Sequence, residues 1–155
     1  MNPLNLPPAP LEVRPDADSR RGGSEVFDRL RHKWVALTPE EWVRQHFVAY
    51  LMEQRGFVPS LMTNEYGLRL NGTLRRADTI VFDKGLRPLA VVEYKAPSVE
   101  ITQKVFDQIA RYNMVFQAPY LIVSNGMRHF CCRYDGDGYR FLPEIPTYQE
   151  MIQNK

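Results

Sequence analysis

With 155 residues, 44% of them hydrophobic and 25% charged, the chain holds enough apolar material for one compact core and too much for a disordered tail. Its 20 basic and 18 acidic residues leave a net charge of +2, so nucleic-acid contact must rest on local placement of charge. There is no apolar run of a membrane helix's roughly 18 residues, no basic-then-apolar leader and no G-x-x-x-x-G-K-[ST] motor loop, and adjacent Cys131 and Cys132 match no zinc spacing; a reduced cytoplasmic protein without membrane contact is expected.

Residues 1–24 read as an arm. Pro3, Pro7, Pro8, Pro10 and Pro15 fix φ and remove donors, which favours extended, loosely held chain, and Arg20-Arg21-Gly22-Gly23 closes it as a solvated linker, with phosphate contact by its basic end as the alternative. Residues 25–155 form the single expected domain. An extended pair, 25–27 and 33–36, precedes a helix start: Thr38 can cap, Pro39 fits the first position, and Glu41 has capping-box spacing. Val43, Phe47, Tyr50 and Leu51 recur at helical spacing until Gly56. Arg44, one turn beyond Glu40 and Glu41, reads by default as a helix-surface ion pair.

Extended chain follows over 57–62 and 67–70, and Asn71-Gly72 is a hairpin turn leading into a strand over 74–82. Asp83-Lys84-Gly85 turns the chain back through 89–95, whose consecutive apolar residues suit a central strand covered on both faces. A helix over 102–116 presents Phe106, Ile109, Ala110 and Met114 to the core. Strands over 120–123, 128–134 and 139–142 come next, and Thr147 with Glu150 opens a short final helix. Helix, three strands, helix, further strands: this order predicts an α/β domain with one central sheet flanked by helices.

Asp78, Glu93 and Lys95 carry the chemistry. Alternation along a strand puts Glu93 and Lys95 on one face, a costly arrangement on an otherwise apolar strand unless something compensates it. The turn at 83–85 brings Asp78 close to Glu93. Two converging carboxylates repel and raise one pKa unless a cation lies between them, and hard oxygen ligands suit Mg²⁺. With a lysine nearby to orient water, these are the needs of phosphodiester hydrolysis. The competing reading of the same three residues is a structural ion pair beside a solvated acid.

Arg76-Ala77-Asp78-Thr79-Ile80-Val81 and Val91-Val92-Glu93-Tyr94-Lys95-Ala96-Pro97 resemble the PD-(D/E)xK nuclease core. Together with Leu37-Thr38-Pro39-Glu40-Glu41, Phe106-Asp107-Gln108-Ile109-Ala110-Arg111-Tyr112-Asn113 and Ala118-Pro119-Tyr120-Leu121-Ile122-Val123-Ser124-Asn125-Gly126, they are similar to the amino-terminal nuclease domain of type I restriction enzyme R subunits. The resemblance spans roughly residues 25–135. It implies a restriction-endonuclease-like core, a central mixed sheet with αβββαβ order, in a metal-dependent DNA endonuclease.

By the same resemblance Asp78 and Glu93 are metal ligands for Mg²⁺, with Mn²⁺ as a substitute, and Lys95 is the catalytic lysine. Helix one often contributes a further glutamate in such nucleases; Glu41 is preferred here, with Glu40 left open. Gln108 and Tyr112 match the Q-x-x-x-Y motif of RecB-like nucleases, and their spacing puts both on one helix face toward the DNA backbone. Arg76, and Arg75 beside it, are candidate phosphate contacts. R subunits also carry helicase and translocase regions, which these 155 residues do not encode. Expected partners are therefore DNA and, in trans, restriction-modification or helicase subunits, with a homodimer also compatible.

The alternative from another class is a catalytically silent nucleic-acid-binding or assembly module with the same fold. His46 and His129 lack a partner at ligand spacing, and Ser98 and Ser124 have no G-x-S-x-G context, so zinc and serine-nucleophile chemistry are disfavoured.

Overall fold

The computed structural model describes residues 3–18 and 22–154; Arg20 and Arg21 of the arm lie outside the described residues. Two sheets form. A small antiparallel one joins β1 (Val13–Pro15), β2 (Ser24–Asp28) and β3 (Lys33–Ala36), in that order. β1 is an edge strand, where Pro15 can sit without breaking a ladder. Elsewhere in the arm, Leu4 and Leu6 pack on the main core, and Asn5 N–H donates to Gly126 C=O at 2.9 Å.

α1 (Pro39–Gln54) starts as its sequence dictates: Thr38 is extended and its hydroxyl accepts from Glu41 N–H, with Pro39 in the first turn. Residues 57–62, expected to be extended throughout, contain a 3₁₀ turn at Pro59–Leu61, because proline's fixed φ opens a helical turn as readily as an extended one. β4 (Met62–Leu70) and β5 (Thr73–Phe82) form a hairpin around Asn71 and Gly72. Both turn residues have positive φ, +50° and +78°, the requirement of a two-residue turn matched to strand twist.

β6 (Pro88–Tyr94), α2 (Gln103–Asn113), β7 (Tyr120–Ser124), β8 (His129–Tyr134), β9 (Tyr139–Leu142) and α3 (Tyr148–Gln153) complete the chain. The main sheet runs β4-β5-β6-β7-β8-β9, with β6 and β7 parallel and the other pairs antiparallel. α2 is the crossover that a parallel pair needs.

The sheet is buried on both faces, which explains its unbroken apolar runs. Val92, Tyr94 and Ile122 face α1 and α3, where Val43, Phe47, Leu51 and Met151 pack. Their neighbours Val91, Leu121 and Val123 face α2, against Phe106, Ile109 and Ala110. α1 is unusual for so buried a helix: Glu41, Arg44, Gln45 and His46 are all buried with its apolar residues.

Candidate active site

The carboxylates meet through strand register. β5 and β6 pair Val81 with Ala90, Ile80 with Val91 and Thr79 with Val92. One step further along this register, Asp78 faces Glu93. There the ladder stops: Asp78 Oδ2 accepts the Tyr94 N–H at 2.9 Å, so a side chain takes over from a strand carbonyl. The regular β5–β6 ladder thus ends at the site.

On its other side β5 also departs from regular pairing at this position. Asn64 pairs with Thr79 and Tyr66 with Ala77, while Glu65 and Asp78 between them do not pair. Glu65 has a φ of +58°, a conformation non-glycine residues seldom adopt. Asp78 C=O instead accepts from Arg44 Nη1 at 2.8 Å, and Glu65 Oε1 accepts from Arg44 Nη2 at 2.7 Å. α1 thus reaches across the sheet edge and fixes the backbone that carries Asp78.

Burial and mutual repulsion govern the pair. Burial raises the Asp78 pKa, partly opposed by the Tyr94 N–H and the charge of Arg44. Burial and the Asp78 charge push Glu93 up to about 8, against the lowering effect of Lys95. The two carboxyls act on each other directly, and burial with mutual repulsion favours a proton on the pair. Glu93 Oε2 is nonetheless buried without a partner. Buried polar atoms left unpaired are rare enough to mark a place where something else binds.

Glu93 and Lys95 line a cavity of about 280 Å³ with Val105, Gln108, Ile109, Tyr112 and Asn113 of α2. The pair at four-residue spacing, Gln108 and Tyr112, thus reaches the same hollow as the strand residues. Asn113 adds a second buried unpaired acceptor, Oδ1, to its wall. Tyr112 also ties α2 to β5: its hydroxyl accepts from Arg76 N–H at 3.3 Å, and the Arg75 guanidinium lies 4.6 Å from its ring centroid. The Arg76 side chain is over half exposed, 3.9 Å from Glu65.

Glu41 is placed differently from the other candidates. Its backbone is capped by Thr38, but its carboxylate accepts from Arg44 at 2.9 and 3.1 Å, Arg31 at 2.9 Å and Gln45 at 3.0 Å. That commits it to a buried network and not to a capping box or to the Asp78–Glu93 pair. Glu40, by contrast, is a helix-one acid whose charge bears on Glu93 and raises it further.

Arg44 is likewise no surface ion pair. Burial opposes its charge, yet hydrogen bonds and attraction from Glu41 and Glu65 prevail and raise its pKa. The network continues through Arg31 to Asp28, whose buried carboxylate also accepts from Asn64 at 2.9 Å. Thr79 then donates to Asn64 at 2.6 Å and shares a hydrogen bond with Tyr94 at 2.9 Å. Burial alone would raise Asp28, but bonds from Arg31 and Asn64 hold it low. A polar chain therefore links the small sheet to β5 and β6 behind the carboxylates. Its signal in the sequence is the set Glu41, Arg44 and Gln45, spaced to share one turn of α1.

His129 does find a partner, Ser124 Oγ at 2.7 Å, but the Ser124 hydroxyl is fully buried and so is closed to a substrate.

The donor set fits a hydrated hard cation: two buried carboxylates with a free Oε2, plus an unpaired amide oxygen in the wall to accept hydrogen bonds from water. Among the described residues no group of three or more His, Cys, Asp or Glu is placed to hold a metal by itself. Mg²⁺ commonly binds through one or two carboxylates and keeps several waters. Nor is any described helix long and apolar enough to cross a membrane.

A search of curated proteins gives no match. Among solved structures, a fragment described as an HsdR subunit of a type I restriction enzyme from Vibrio vulnificus YJ016 superposes with a TM-score of 0.57 and 22% identity. The match covers 76% of this chain and 25% of that one, so this chain spans a quarter of its length. Helix, three-strand meander, crossover helix and parallel strand give both the restriction-endonuclease-like fold. The model of the type I restriction enzyme R protein N-terminus family matches residues 39–146, from the first residue of α1 through β9, and the chain belongs to that family.

Proposed function

We propose that this chain is a Mg²⁺-dependent DNA endonuclease domain, with Mn²⁺ as a substitute and with motor or methylase subunits acting in trans. The observation that carries the reading is the buried cross-strand pair Asp78–Glu93, with an unpaired Glu93 oxygen at the edge of a cavity. A structural ion pair would leave no such oxygen and would not force two acids together.

Asp78 and Glu93 would hold the cation. Bound there, a divalent ion would lower the pKa of the attacking water, polarise the phosphoryl group and offset charge in the transition state. Lys95, two residues along the same strand face, would donate to that water or to a non-bridging phosphate oxygen. Gln108 and Tyr112 line the opposite wall and would hold the sugar–phosphate chain in register with the strands. Glu40 would add negative charge near the ion, while Glu41 and Arg44 would keep Asp78 in place.

The test is cleavage of single-stranded, duplex and branched DNA by purified protein with Mg²⁺ or Mn²⁺. Cleavage is expected, and Glu93→Ala should reduce it by about a thousandfold, the equivalent of about 4 kcal/mol of lost transition-state stabilisation. Intact DNA, or cleavage undiminished in Glu93→Ala, would leave a binding or assembly module as the better description.

A further inference from the structure

Asn5 ties the arm to the β7–β8 turn by three hydrogen bonds. Its N–H donates to Gly126 C=O at 2.9 Å, its Nδ2 to Met127 C=O at 3.3 Å, and its C=O accepts from His129 Nε2 at 2.8 Å. A carbonyl only accepts, so Nε2 carries the imidazole proton and Nδ1 takes the Ser124 hydroxyl proton at 2.7 Å. On either side of Asn5, Leu4 and Leu6 pack on the main core. The arm comes this close because the turn has no side chain there: a Cβ on Gly126 would stand 2.8 Å from Leu4 Cδ2. Residues 4–6 thus form a strap across the turn, ahead of the residues 39–146 that the family model matches.

The same turn holds the chain at Lys95. Ser124 C=O accepts the Lys95 N–H at 2.9 Å, just past the last β6–β7 pair, Tyr94 with Ser124. Downstream, Asn125 Nδ2 donates to Val99 C=O at 2.8 Å, while Asn125 Oδ1 accepts from the N–H groups of Met127 and Arg128 at 2.9 and 2.8 Å. Ser124 Oγ also accepts from Gly126 N–H at 2.9 Å. Residues 95–99 therefore rest on the turn from one side and the strap grips it from the other.

We infer that Leu4-Asn5-Leu6 positions Lys95: by clamping the β7–β8 turn, the strap fixes the backbone that aims the lysine into the cavity it shares with Glu93. The inference rests on the nuclease reading for what Lys95 does there, and adds the segment that holds it. A reacting group displaced by about 1 Å can lose a hundredfold in rate, so a support two hydrogen-bonded steps away matters. Asp78 and Glu93 are held instead by the β5–β6 strands, the Tyr94 N–H and Arg44, so the cation site should not depend on the strap.

The experiment is amide hydrogen exchange of the metal-free protein, with Asn5→Pro as the main variant. Proline removes the N–H donor and the side-chain amide and leaves both leucines in place. The Lys95 and Val99 amides should exchange about tenfold faster, while Phe47 in α1 and Ile109 in α2 change less than about twofold. In parallel cleavage assays kcat should fall about tenfold, with KM for DNA and Kd for Mg²⁺ unchanged. L4S/L6S, which unseats the strap from the core, should loosen the same two amides, and L4M/L6M should restore them.

Unchanged exchange at Lys95, or equal acceleration at all four amides, would overturn the inference; the strap would then be a general stabiliser. Faster exchange at Lys95 with kcat unaltered would overturn it as well. A wild type that cuts no DNA removes the nuclease reading, and the exchange pattern alone then decides whether the strap holds Lys95.

Discussion

Glu93→Gln is expected to raise the melting temperature of the metal-free protein at pH 8 by about 5 °C while abolishing the DNA cleavage proposed above. Burial and the neighbouring Asp78 charge push the Glu93 carboxyl up to about 8. A carboxyl raised in the folded state contributes stability that is fully present below its ordinary range, near pH 4.5, and is lost as pH rises through about 8. The wild type must therefore weaken across that window, because deprotonation forces a second charge into the pocket beside Asp78.

Glutamine keeps the shape without that charge. After allowance for partial solvent access, the difference at pH 8 is about 2 kcal/mol, which for a domain of this length is about 5 °C. At pH 4.5 and below, the two proteins should melt together. Thermal scans in EDTA at both pH values check this, and a variant less stable than wild type at pH 8 would contradict it. Stability gained where activity is lost is the mark of a site held under strain for function.

Arg44 should be the most sensitive position outside the core. Arg44→Met is expected to destabilise the fold by about 3–5 kcal/mol, the usual cost of removing one partner from a buried ion network. The loss strands Glu65 and the Asp78 carbonyl, which bond Arg44 at 2.7 and 2.8 Å, and leaves Glu41 with only Arg31 and Gln45. Arg44→Lys should recover less than half, since an ammonium cannot replace a fork that reaches three acceptors. Urea unfolding measures both, and a loss under about 1 kcal/mol would show that the network contributes little, as exposed ion pairs do.

What the sequence disclosed follows from which contacts are local. The Asp83–Gly85 turn returns β6 beside β5 and so brings Asp78 near Glu93, while a register shift between Val81 and Phe82, which has no signal in the sequence, sets the two opposite each other. Gln108 and Tyr112 reach one cavity because four residues make about one helical turn. The long-range part of the polar network was hidden for the opposite reason. Its bonds join Asp28 to Asn64 and Arg44 to Glu65 across 36 and 21 residues, and no local pattern encodes such partners.

Glu41 shows the same limit at a single residue. Its spacing from Thr38 reads as a capping box, and its backbone N–H does take the cap, yet two arginines outbid the N-terminal backbone for its carboxylate. The positive φ of Glu65 had no sequence signal, because glutamate is not a residue that favours it. Leu4 and Leu6 were masked by the prolines around them, although their packing needs no more than two apolar side chains and an open core edge.

The most direct measurement is calorimetric titration of Mg²⁺ into the wild type at pH 7, repeated in buffers of different ionisation enthalpy. One site is expected, with release of close to one proton per ion, because the cation displaces the proton that the Asp78–Glu93 pair holds. Asp78→Asn should abolish the binding. Absence of a binding isotherm in the wild type, or one that Asp78→Asn leaves unchanged, would contradict a cation site between these two strands.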